Sequence, residues 1–370
     1  MRHAPSGAGP LLVVLAALWA GGATALGAVE SVADPGCSPA GSLGFVCGAG
    51  QPEDLARVPA TRWLVVSGYS AGSGLKLLDT RTRELRRWSA DEPEAIAFDR
   101  TRYPHCPGPP DASRMNIQGL SLRAEGGEVS RLLASNHGGR EAIEAFHVRA
   151  DPADPDSAPR LQWIGCLPMP EGLAANAVAS FPDGTVLVTV LTLPGRSMAD
   201  YVLGRDTGVV LAWAPGAAGF SALLGTGLPG NNGIEAGDDN RHFYVVAFGR
   251  HAIVGFERRG RHARKLFEAI APGFMPDNIH WDGHALLAAG MQYDEPACGG
   301  RRKVIGGAAE AMTCHRGYSA ARLDPDTLQW QLVAYDVPNP SFNGVSTAVI
   351  VDGILWLGSY QSDRLAYRAL

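Results

Sequence analysis

Six residues with side-chain oxygens recur at a similar phase along this chain: Glu53, Gln118, Asn176, Asn232, Asn278 and Ser346. Each stands roughly 9 to 15 residues ahead of the middle of a short apolar phrase. Asp277 adjoins Asn278 and adds a second carboxylate to that of Glu53. A single Asn before Gly, as in Asn232-Gly233, reads as a turn. Six phased copies do not, because a turn has no preference for a common position within a repeat. Carboxylates and amide oxygens that converge are ligands for a hard cation, and Ca²⁺ takes six to eight oxygens while tolerating irregular geometry. Zn²⁺ would want His or Cys, which the set lacks. The pattern points to calcium, with charge from Glu53 and Asp277 and neutral carbonyls from Asn176, Asn232 and Asn278.

What must position these residues is a repeated two-strand phrase. Short apolar strands begin at Trp63, Arg131, Val186, Phe243, Ala285 and Leu355, about 58 residues apart on average, each followed by a turn and a second alternating strand. Turn signals such as Pro182-Asp183-Gly184 and Trp281-Asp282-Gly283 precede them. The chain holds 46 Gly and 26 Pro, more breakers than a helical protein tolerates. Six small sheets in one chain argue for radial repetition, so the expected fold is an all-β six-bladed β-propeller with a central calcium site. The inner strand of each blade, just ahead of the marker phrase, would carry the oxygen ring. No linker or change of composition divides the chain, so residues 51–370 read as one propeller, with an N-terminal segment at 26–50.

The net charge of −5 offers no basic excess for nucleic acid or an anionic membrane, and the 46% hydrophobic content excludes a disordered chain. Residues 1–25 have the layout of a secretory signal peptide: Arg2 and His3, an apolar run over Leu11–Trp19, then Ala23-Thr24-Ala25. That run is too short for a stable membrane span, and the expected location is secreted or periplasmic. Six cysteines suit that compartment. They allow fifteen pairings, of which close spacing suggests Cys37–Cys47 and Cys298–Cys314, leaving Cys106–Cys166. Met291–Tyr318 reads as an insertion between two strands of the fifth blade, a stapled lid over one face. The basic run Glu257–Lys265 reads as a solvated hairpin face. There is no Gly-x-Ser-x-Gly elbow, P-loop or dinucleotide fingerprint.

The stretches Gln51-Pro52-Glu53-Asp54-Leu55, Asn116-Ile117-Gln118-Gly119-Leu120-Ser121, Leu133–His137 and Ala175-Asn176-Ala177-Val178 carry a family resemblance. So do Asn232-Gly233-Ile234, Pro276-Asp277-Asn278-Ile279 and the closing Leu355–Gly358 and Leu365–Leu370. From about residue 50 onward the chain resembles the paraoxonase/arylesterase branch of the calcium-dependent six-bladed propellers. That branch is related to gluconolactonase (regucalcin-like) and strictosidine-synthase-like proteins. The resemblance implies catalytic calcium ligands at Glu53, Asn176, Asn232, Asp277 and Asn278. It implies a second, structural calcium at Asp54 and the Leu120 carbonyl, where the family's further Asp is Ala177 here. It also implies a channel histidine pair, of which one member is His137 and the other is replaced by Gln118. The family's C-terminal Cys is Arg368 in this chain.

The expected activity is calcium-dependent hydrolysis of a small-molecule lactone or ester. The metal would polarise the carbonyl, and water would be activated by His137, because histidine exchanges protons near neutral pH. Gln118 would stand beside it, with Tyr69 and Tyr360 at the mouth. The alternative is a non-catalytic propeller stabilised by calcium and used as a binding or scaffold module, which the Gln118 replacement favours. Oligomeric state is not legible.

Overall fold

A computed structural model describes residues 36–370 apart from Pro152. The segment read as a signal peptide lies outside the described residues. Apolar strands separated by tight turns pair with their sequence neighbours, and the result is six four-stranded antiparallel sheets. The second strands are Trp63–Val66, Val129–Asn136, Val186–Val190, His242–Ala247, Ala285–Gln292 and Ile354–Ser359, each on the expected phrase. The inner strands are Leu55–Arg57, Ile117–Gly126, Val178–Ser180, Asn231–Ala236, Phe274–Asp282 and Val345–Val351. Five blades are contiguous in sequence. The sixth takes its outer strand, Gly44–Val46, from the N-terminal stretch, where it pairs antiparallel with Leu365–Tyr367. Joining the two ends of the chain in one sheet closes the ring and leaves no gap between first and last blades.

Apolar faces of adjacent blades pack on each other. Between the first three blades lie Trp63, Ile117, Phe146 and Trp163, all buried. Between the third and fourth lie Phe181, Phe243 and Phe256, the last two stacked with centroids 5.2 Å apart. Three disulfides tie the periphery: Cys37–Cys47 brackets the closing strand, Cys106–Cys166 ties a loop to the outer strand of blade 2, and Cys298–Cys314 staples the insertion. No described cysteine is free, the pattern of an oxidising compartment. Among the described residues no helix is long and apolar enough to cross a membrane.

The insertion in blade 5 forms two small hairpins, Asp294–Glu295 with Gly300–Arg301 and Val304–Ile305 with Ala308–Ala309. It leans on other blades through Arg302 Nη1, which donates to the Tyr201 hydroxyl at 2.8 Å. The Met312 carbonyl also accepts from Gln361 Nε2 at 2.8 Å.

Candidate functional site

The inner strands are interrupted at the phased residues. In blade 2, pairing passes from Ile117↔Asn136 to Leu120↔Ala134, so Gln118-Gly119 is one residue too many for its partner strand. The same slip occurs at Asn232-Gly233, at Asp277-Asn278 and at Ser346. In blade 3, Asn176 N donates to the Thr189 carbonyl while Thr189 N donates to the Ala177 carbonyl, again two residues against one. In blade 1, Ser67 pairs with Asp54 and Tyr69 with Gln51, three residues advancing against two around Glu53. A β-bulge turns a side chain away from the sheet's regular alternation. Here six bulges stand at equivalent positions of six blades.

Close backbone approach draws neighbouring bulges together. A Cβ on Gly233 would lie 2.4 Å from the Asp277 carbonyl oxygen and 2.8 Å from Asn278 Cα. A Cβ on Gly119 would lie 2.6 Å from Ala177 Cα. Only glycine permits either contact. Across the junction of the last and first blades Ser346 Oγ donates to the Glu53 carbonyl at 2.6 Å.

Glu53, Asn176, Asn232, Asp277 and Asn278 are all buried. Asn278 Nδ2 donates to Glu53 Oε1 at 2.8 Å. Glu53 Oε2, Asn176 Oδ1 and Asn232 Oδ1 are buried oxygens with no hydrogen-bond partner. Burial, then the neighbouring carboxylates of Asp277 and Asp54, pushes the Glu53 carboxyl well above the usual carboxylate range. Burial likewise lifts Asp277 to about 7, against the hydrogen bond from Asn232 and with help from Asp54. Buried oxygens with unmet acceptor capacity, beside carboxyls raised by burial, are a donor set that fits a hard cation. Among the described residues no three His, Cys, Asp or Glu side chains group as a metal site; here carboxamides make up the set.

Gln118 and Ser346 do not join these oxygens. Gln118 Oε1 is 2.9 Å from His137 Nε2, and Ser346 is turned onto backbone. His137 Nδ1 is 2.9 Å from Glu141 Oε2. The Tyr69 ring meets the His137 ring edge-on at 6.2 Å. Burial, with Glu53 and Glu141 nearby, raises the Tyr69 phenol, and burial with Asp277 nearby raises that of Tyr360. Both tyrosines therefore stay protonated, one beside the histidine and one beside the carboxylates.

Asp54 has a different environment. Its Oδ1 accepts from Leu55 N at 2.8 Å and lies 2.6 Å from His280 Nε2; its Oδ2 accepts from Leu120 N at 2.7 Å. His280 Nδ1 faces Glu235 Oε2 at 3.7 Å. Burial opposes charge on His280, but the carboxylates of Asp54 and Glu235 outweigh it and lift the imidazole to about 10. An imidazolium thus neutralises Asp54, whose oxygens are already engaged by protein donors. The sequence reading missed His280 and Glu235. His280 sits two residues beyond Asn278, hence on the same side of the strand, but nothing in the sequence marks Glu235 as its partner. Beyond them the far ends of the inner strands bound a cavity of about 770 Å³, lined by Arg57, Arg123, Glu235, Tyr244, His280 and Trp281 among others. Several charges there are paired, as in Arg123–Asp238 and Arg322–Asp282. The unpartnered oxygens of Glu53, Asn176 and Asn232 lie at the bulged ends and outside the lining of this cavity.

No protein-family profile and no curated protein matches the chain. Solved structures match in fold. A luciferin-regenerating enzyme is 12% identical, covering 88% of this chain and 92% of its own, with a TM-score of 0.47. The calcium-binding protein regucalcin from Agrobacterium tumefaciens is 10% identical, covering 88% and 90%, TM-score 0.47. The PQQ-bound aldose sugar dehydrogenase of Streptomyces coelicolor is 13% identical, covering 89% and 98%, TM-score 0.48. At such identities the likeness is one of fold, and propellers of one architecture host many functions.

Proposed function

We propose that this chain is an exported calcium-dependent hydrolase of lactones or related esters, of the paraoxonase/arylesterase kind. The observation that carries the reading is the set of buried, partnerless oxygens, Glu53 Oε2, Asn176 Oδ1 and Asn232 Oδ1, beside the raised carboxyl of Asp277. With Asn278 these residues would hold the ion. Bound there, Ca²⁺ supplies Lewis-acid polarisation of a carbonyl oxygen.

The chain's own groups do the rest. Glu53 and Asp277 supply the negative charge that retains the cation, and Asn278 orients Glu53 through its 2.8 Å hydrogen bond. His137, which meets Glu141 at Nδ1 and Gln118 at Nε2, is the proposed base: with Gln118 turned aside, Nε2 takes a proton from water as it attacks the acyl carbon and returns it to the leaving oxygen. Tyr69 packs against the imidazole and fixes its plane. Tyr360, protonated beside Asp277, presents an apolar ring and a neutral hydroxyl to the mouth. The export assignment rests on the 1–25 signal layout and the three disulfides.

The test is hydrolysis of a panel of small lactones and aryl esters by the purified protein, with Ca²⁺ and with chelator. Turnover that vanishes with chelator and returns with Ca²⁺ supports the reading. No turnover, with chelator still lowering the melting temperature, would replace it with a non-catalytic, calcium-stabilised binding module.

A further inference from the structure

The loop between the second and third strands of blade 2 is only five residues long, His137 to Glu141, and its two end residues meet. Glu141 Oε2 lies 2.9 Å from His137 Nδ1. The loop is anchored from beneath. Asn136 Oδ1 accepts from the backbone N–H groups of Gly138 and Asn116, and Asn136 Nδ2 donates to the buried Glu144. Arg140 forks onto Glu144 at 2.7 and 2.6 Å, and the Glu141 carbonyl accepts from Met169 N at 3.0 Å. The backbone at both ends of the pair is therefore anchored by hydrogen bonds.

An ionised carboxylate only accepts hydrogen bonds, so the proton on the side of the ring facing Glu141 belongs to Nδ1. That leaves Nε2 as the nitrogen that can exchange a proton, and Nε2 faces Gln118 at 2.9 Å. A carboxamide presents an acceptor at one end and donors at the other. The Gln118 amide oxygen accepts from Nε2–H in the imidazolium; in the neutral ring the Nε2 lone pair is open to a water proton when the Gln118 side chain is turned away from it. A second histidine in this place could also titrate and share the proton. The amide cannot.

We infer that Glu141 is the positioning residue of the hydrolytic base, fixing His137 as its Nδ1–H tautomer and leaving Nε2 to take and return the proton. The inference rests on the hydrolase reading above and assigns it a carboxylate–histidine pair. The step balances: water gives its proton to His137 Nε2 and its oxygen to the acyl carbon. The acyl–oxygen bond then breaks, and the departing alkoxide or phenoxide recovers the proton from Nε2. Glu141 remains a carboxylate throughout. The groups facing His137 are Glu141 and Gln118 on its two nitrogens and the Tyr69 ring on its edge, with Glu53 acting on Tyr69 and Arg114 against the loop.

The experiment compares wild type, Glu141→Gln and Glu141→Asp, reading kcat and KM across pH on whichever lactone or ester the wild type turns over. It adds the imidazole ¹⁵N resonances of His137. The expected result is a loss of about a hundredfold in kcat for Glu141→Gln with KM little changed. Glu141→Asp recovers part of the loss, and the wild-type ¹⁵N pattern is that of the Nδ1–H tautomer. Glu141 is exposed over 41% of its side chain, so the variants keep the fold, and unchanged Ca²⁺ affinity verifies this. Equal turnover in Glu141→Gln, or an Nε2–H tautomer in wild type, overturns the inference while leaving the hydrolase reading intact. A wild type inert on every substrate removes the hydrolase reading, and the inference falls with it.

Discussion

Calcium binding at the bulged ends of the inner strands must displace protons, and the size of that effect follows from the site. Asp277 in the cation-free protein has its carboxyl lifted to about 7 by burial, and burial raises that of Glu53 beside it in the same direction. A cation binds the ionised carboxylates, so protons compete with it and affinity rises with pH. With Asp277 alone near 7, the ionised fraction goes from about nine-tenths at pH 8 to about one-tenth at pH 6, a tenfold loss of affinity or about 1.4 kcal/mol. Glu53 steepens the fall, because its protonated form also disfavours the ion. Calorimetric titration with Ca²⁺ at pH 6, 7 and 8, in buffers of different ionisation enthalpy, counts the protons released. Release of about one proton or more at pH 6, declining at pH 8, is expected. Asp277→Asn should flatten the profile as well as weaken binding. Calcium affinity that stays constant from pH 6 to 8 with no proton release would refute the placement of the ion between these carboxylates.

Other consequences can be checked by equilibrium unfolding. Glu144 is fully buried and accepts from Arg140, Trp163 and Asn136, so Glu144→Ala should cost about 3–5 kcal/mol by leaving buried donors unpaired, and Glu144→Gln less. Gly233→Ala places a methyl against the Asp277–Asn278 backbone; a loss of about 1–3 kcal/mol together with weaker Ca²⁺ binding is expected, and unchanged binding would contradict the contact. Selective reduction of Cys106–Cys166, which spans 60 residues, should lower stability by about 4 kcal/mol, more than loss of the shorter Cys298–Cys314 loop, which spans 16.

The blades were legible because their signal is repetition: the Trp63, Val186 and Leu355 phrases fall on second strands, and even the disulfide pairing followed from spacing. The contribution of Gly44–Val46 to the last blade was not legible, since a three-residue strand carries little pattern and its partner is some 320 residues away. The ring positions could be found by phase, but the bulges that aim them could not. A bulge is one surplus residue relative to a partner strand, and the register of that partner appears only in three dimensions. Glu141 was overlooked although it stands four residues after His137, because its role depends on the loop being short enough to fold back. His280 escaped notice because its partners Asp54 and Glu235 come from two other blades.

The oxygens of Glu53, Asn176, Asn232 and Asp277 are proposed to surround one cation. A crystal grown with Ca²⁺ and measured at long wavelength locates the ion through its anomalous signal. One strong peak is expected about 2.3–2.6 Å from Glu53 Oε2, Asn176 Oδ1, Asn232 Oδ1 and an Asp277 oxygen, absent from crystals of Glu53→Gln/Asp277→Asn. No peak at the bulged ends, or a peak in the opposite cavity beside Glu235 and Trp281, would contradict it.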